Sequence, residues 1–123
     1  MPEIDKEEAA MSFVDDILTN MVQMGANVTL IHPAPIGGPN GHILNLSGGR
    51  ETLGLRIPTG LYPLIIEQIK VLVGADPNII GQPYIGRHAR LMPTASKMCL
   101  FEINIEPTTR TDNLEQVHIR RLE

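Results

Sequence analysis

Gly86-Arg-His-Ala-Arg-Leu-Met92, Lys97-Met-Cys-Leu-Phe-Glu-Ile-Asn-Ile-Glu106 and Gln116-Val-His-Ile-Arg-Arg-Leu122 are the three phrases that decide the fold. In the middle phrase Cys99, Phe101, Ile103 and Ile105 share one parity, while Glu102, Asn104 and Glu106 share the other. Side chains alternate between the faces of a strand, so this phrase reads as a strand with one packed face and one wet face. A Pro-Thr-Ala-Ser turn and a polar loop separate it from its neighbours, which favours an antiparallel meander. His88 and Arg90 share a parity in the first phrase, as do His118 and Arg120 in the last. Both pairs are expected on the wet side, with Glu102 and Glu106 between basic neighbours. His88, Arg90, Glu102, Asn104, His118 and Arg120 therefore form a candidate interaction face.

Toward the N-terminus, Phe13, Val14, Ile17, Leu18, Met21 and Val22 recur at helical spacing between a Ser12/Asp15 cap and a stop at Gly25. Residues 1–11 are expected to be flexible or frayed, with Asp5 and Glu8 offering an earlier helix start as the alternative. One domain is expected over 12–123. Asn27–His32, His42–Leu46 and Leu53–Ile57 read as strands separated by turn chemistry. A second helix spans Tyr62–Val73, with Pro63 in its first turn and Gly74 at its stop. Its Ile65, Ile69 and Leu72 should be buried, with Glu67 and Lys70 in water. The order α-β-β-β-α-β-β-β, with hairpin-length links, gives an α+β class: one antiparallel sheet of about six strands with two main helices on one face.

Composition removes several function classes. The formal net charge of −4 supplies no basic footprint for nucleic acid or an anionic membrane. Aromatic residues make up only 3% of the chain and Trp is absent, so stacking platforms lack their material. The single cysteine, Cys99, lies on the packed parity and reads as a small core residue in a reducing compartment. The acidic N-terminus is unlike a signal peptide, and no apolar run approaches membrane-spanning length. A cytoplasmic protein with no direct membrane insertion is expected.

No motif assembles an active site. Ile36–Gly41 and Ser47–Gly49 are glycine-rich but lead into strands, whereas a phosphate loop leads into a helix N-terminus. Hairpin turns explain them better. His32, His42, His88 and His118 fall one per element without the close spacing of a zinc site, so they could serve a metal only by converging in space. No metal and no cofactor is expected. Asp15-Asp16 reads as a solvated helix face, and Met21, Met24 and Met98 as core or edge residues.

Six phrases in order resemble the N-terminal PAS-like domain that precedes the motor in type II secretion and type IV pilus assembly ATPases. That family opens with a helix and Gly-Ala-Ser-Asp-Ile-His-Ile-Glu-Pro, compared here with Gly25-Ala-Asn-Val-Thr-Leu-Ile-His-Pro33. Its Arg-Ile-Asp-Gly-Val-Leu compares with Arg56-Ile-Pro-Thr-Gly-Leu61, and its next helix with Leu64–Gly74. Gln82-Pro-Tyr-Ile-Gly-Arg87, Cys99–Thr108 and Val117-His-Ile-Arg120 follow the remaining phrases. The resemblance implies a PAS-like sheet. It also implies that Arg87 sits where the family places a nucleotide-contacting arginine. The second such position is Glu102, a reversal that would repel phosphate. Walker motifs are absent, so no ATP hydrolysis and no catalytic residue is expected. The resemblance implies a non-catalytic interaction domain with protein partners: a secretion or pilus motor domain, or other components of that machinery. A PAS-like sensor of a small ligand and, more remotely, a metal-dependent enzyme built on the histidines are the alternatives.

Overall fold

The computed structural model describes residues 4–33, 41–58, 60–92, 97–108 and 115–122. The elements run α1 (Ile4–Gln23), β1 (Val28–Pro33), β2 (Gly41–Ser47), β3 (Arg50–Leu53), α2 (Tyr62–Leu72), β4 (Tyr84–Met92), β5 (Lys97–Pro107) and β6 (Glu115–Arg121). All six strands join one sheet in the order β3-β2-β1-β6-β5-β4, every neighbour antiparallel. This is the α+β architecture expected from the element order. The first and last strands meet at its centre, so β1 and β6 form the seam between an N-terminal and a C-terminal half. The links at 34–40, 93–96 and 109–114, which include most of the Ile36–Gly41 stretch, lie outside the described residues.

Both helices cover the same face of the sheet. On α1 the buried stripe is Ala10, Val14, Ile17, Leu18 and Met21, the spacing of one helical face. The helix thus starts eight residues before Ser12, so residues 4–11 of the segment expected to be frayed over 1–11 are helical instead, and residues 1–3 lie outside the described residues. Lys6, Glu7, Glu8, Ala9 and Ala10 are strong helix formers, and Ala10 at 0% exposure fastens that turn to the core. Both helices end in the same way. Gly25 (φ 67°) and Gly74 (φ 81°) take the left-handed conformation. Their amides reach Val22 and Val71, and those of Ala26 and Ala75 reach back to Met21 and Lys70. This is the Schellman closure that favours glycine.

Beneath the helices lie Cys99, Phe101, Ile103 and Ile105 of β5, Val117 and Ile119 of β6, Ile31 of β1 and Ile43 of β2. Burying each large apolar side chain contributes about 1.5–3 kcal/mol. Thr29 and Asn45 are also buried, but Thr29 donates to Asn45 at 2.7 Å and Asn45 to Asn20 of α1 at 3.0 Å. Among the described residues no buried side-chain polar atom lacks a partner.

Three expectations about local structure are corrected. The third strand is Arg50–Leu53, not Leu53–Ile57, because Ser47 pairs directly with Arg50 across Gly48-Gly49 and the ladder starts at once. Beyond Leu53 the chain leaves the edge, and Ile57 descends into the core. On α2, Ile65 and Ile69 are buried and Glu67 is exposed as expected, but Leu72 is only partly buried and Lys70 is 3% exposed. In β4 the parity is opposite to that expected. Tyr84, Gly86, His88 and Arg90 stand beside the core residues Ile105, Ile103, Phe101 and Cys99 of β5, Met92 on the same parity is buried, and Arg87, Ala89 and Leu91 turn away. A side chain at Gly86 would place its Cβ 2.6 Å from that of Val73, so glycine lets α2 close onto this strand.

Candidate functional site

Since both helices lie on one side, no described element covers the other side of the sheet, its bare face. Its residues follow from the register. One cross-strand row reads Glu51, Leu46, Val28, Arg120, Glu102, Arg87, and the next reads Leu53, Leu44, Leu30, His118, Asn104, Ile85. Beyond them His42 stands opposite His32, and Gln116 opposite Glu106. The β1–β3 half of this face is mostly apolar and the β5–β6 half mostly polar. Leu53 is 79% exposed and Ile85 64%, so large apolar side chains reach solvent at both edges. A surface of this kind marks an interaction site more often than an accident of packing.

The polar half is internally paired. Arg120 donates to Glu102 at 3.0 Å, and Arg87 stands opposite Glu102 on its other side. Glu102 does lie between basic neighbours, but they are Arg87 and Arg120. Its charge is therefore offset by Arg120, which tempers the repulsion of phosphate that the resemblance implies at this position. Glu106 accepts from Asn104 at 2.9 Å and from Gln116 at 3.3 Å.

Three of the four histidines converge here. His32 and His118 bring their Nε2 atoms to 3.2 Å, and the ring of His42 lies 6.0 Å from that of His32. Burial lowers the pKa of His32, and the neighbouring His118 and His42 rings lower it further. Its neutral imidazole is favoured in the fold. Separation in sequence hid this convergence, since it depends on the β1–β6 pairing.

The expected interaction face is thus split. Glu102, Asn104, His118 and Arg120 share the bare face, whereas His88 and Arg90 lie on the helix side. Arg90 donates to His88 at 3.2 Å and pairs with Asp15 of α1. Burial, then Arg90, lowers the pKa of His88, with Asp15 opposing. These two residues tie an edge strand to a helix.

Sequence reasoning also missed a buried ion pair. Lys70 Nζ lies 2.6 Å from Glu115 Oε1, their side chains 4% and 5% exposed. Lys70 also donates to the Ile79 carbonyl at 2.7 Å, and the Gly81 amide donates to Glu115 at 3.2 Å. The Tyr62 hydroxyl donates to the Glu115 carbonyl. The position of Lys70, four residues after Ile66 and three before Val73 on the buried stripe, was the available signal. Nothing local identified its partner. Among the described residues no group of three or more His, Cys, Asp or Glu side chains is assembled to hold a metal ion, and no helix is long and apolar enough to cross a membrane. Compared with known proteins, the chain matches no family model and no curated protein, so its function has to be read from the bare sheet face and the residues on it.

Proposed function

We propose that this chain is a non-catalytic docking domain of a cytoplasmic secretion or pilus assembly ATPase system, binding a motor domain or another protein of that machinery. The observation that carries the reading is the sheet covered by helices on one face only, with Leu30, Leu44 and Leu46 beside a paired-charge strip on the other. A face that sets an apolar patch beside a strip of paired charges suits a protein partner. Its acidic balance does not suit nucleic acid. The element order α-β-β-β-α-β-β-β agrees with the resemblance carried by Gly25–Pro33, Arg56–Leu61 and Leu64–Gly74.

A ligand-sensing role finds less support. Tyr62, Phe101 and Met21 fill the space between helices and sheet at 0% exposure. Among the described residues, the clefts beside Met11, Val71 and Arg90 and beside Gly74, Asp76 and Gln82 are half open and lined partly by surface residues. Titrating the chain with a purified motor domain of a pilus or type II secretion ATPase, followed by calorimetry, tests the proposal. Binding should survive Asp16→Asn on the helix side and be lost in Leu44→Asp. Binding that is indifferent to Leu44→Asp, or tight ATP binding by the chain alone, would overturn it.

A further inference from the structure

The facing imidazoles of His32 and His118 have a geometry that docking does not require. Their Nε2 atoms are 3.2 Å apart, with ring centroids 5.3 Å apart and planes inclined by 35°. Two imidazole nitrogens this close must share something between their lone pairs. In the apo protein it is one proton. A tetrahedral ion with metal–nitrogen bonds of about 2.0–2.1 Å holds its nitrogens roughly 3.3 Å from one another. The observed separation is already within about 0.1 Å of that value.

We infer that His32 and His118 form a two-imidazole site for a late divalent transition ion such as Zn²⁺, Ni²⁺ or Cu²⁺, with His42 as a third ligand. The two rings come from β1 and β6, the strands of the central seam, so both are held by backbone ladders rather than by loops. His42 stands directly opposite His32 on β2, its centroid 6.0 Å away and its plane inclined by 66°. A rotation of that ring brings a third nitrogen to the ion. Among the described residues three ligands are not assembled beforehand, so the third joins only on binding. On binding, both rings offer Nε2 and carry their proton on Nδ1, so the ring that donates in the hydrogen bond between them changes tautomer as the ion replaces that proton. Imidazole-only donors select late transition ions over Mg²⁺ and Ca²⁺, which take oxygen. The remaining coordination positions lie on the side of the sheet that no described element covers. The site is independent of the docking reading and stands or falls separately.

The test is titration of the full chain with ZnCl₂ and with NiCl₂ in a non-coordinating buffer, followed by calorimetry and by nitrogen NMR of the histidine rings. One equivalent should bind, shifting the Nε2 resonances of His32 and His118. His118→Gln removes the second, intramolecular ligand and should weaken binding roughly 100-fold. His88→Gln, on the opposite face, should bind as the wild type does. Unfolding curves of each variant separate loss of the site from loss of the fold. Absence of stoichiometric binding, or binding undiminished in folded His32→Gln and His118→Gln variants, overturns the site. A His42→Gln variant that binds as tightly as the wild type overturns the third-ligand role.

Discussion

A buried charge is tolerated only while its partner is present, and Lys70 and Glu115 make that condition testable. Lys70→Ala or Glu115→Ala strands one charge in the interior and should destabilise the fold by about 3 to 5 kcal/mol, measured as a lower urea midpoint at unchanged slope. The double variant Lys70→Met, Glu115→Leu should lose less than the sum of the two, because neither charge is left alone. Phe101, at 0% exposure in the centre of the core, should show a loss of about 3 to 5 kcal/mol on Phe101→Ala. The bare face yields a pH dependence instead. The pKa of His32 is held below its ordinary value of 6.5, so the unfolded chain binds the proton first as the solution is acidified. Its stabilising contribution is therefore complete above about pH 6.5 and is lost as pH falls through the folded-state value. The pKa of His88 is lowered in the same direction. Unfolding measured along a pH series should show a shallower acid decline in His32→Gln than in the wild type.

Among the elements, α2 gives the cleanest contrast. Ile69 is 1% exposed and Glu67 points to solvent, so Ile69→Asp should unfold the domain while Glu67→Lys stays within about 0.5 kcal/mol of the wild type. Circular dichroism of the two variants checks the helical phase. At β4, Gly86→Ala drives a methyl against Val73 and should cost about 1 to 3 kcal/mol through overpacking. What could be read from the chain beforehand divides along the same line. The alternation of β5, the apolar stripes of both helices and the stops at Gly25 and Gly74 are local patterns, and local patterns are written in sequence. The parity of β4 is not. It is an edge strand whose middle inward residues, Gly86, His88 and Arg90, carry no apolar signal to set beside Met92, and a glycine lacks the side chain that would reveal which way it faces. The Lys70 partner and the histidine cluster depend on residues brought together over long separations. No pattern within one element encodes them.

Across the whole molecule, stability is graded outward from the β1–β6 seam. Ile31, Val117, Ile119 and Ile103 are at most 1% exposed, whereas β3 is exposed along its length and β4 along much of it. Amide exchange should therefore be slowest in β1, β6 and β5 and faster at the two edges, and a uniform protection pattern would contradict that gradient. The seam has a further consequence for how the protein is made. Ile31 pairs with Val117 and Thr29 with Ile119, so a central strand of the sheet is waiting for a partner encoded after every other strand. During synthesis, which proceeds from the N-terminus, β1–β3 and β4–β5 are complete while β1 and β5 still present unpaired backbone edges. Those edges can recruit strands from other chains. Only the emergence of β6 closes the sheet, so loss of that strand would leave a chain with two adhesive edges.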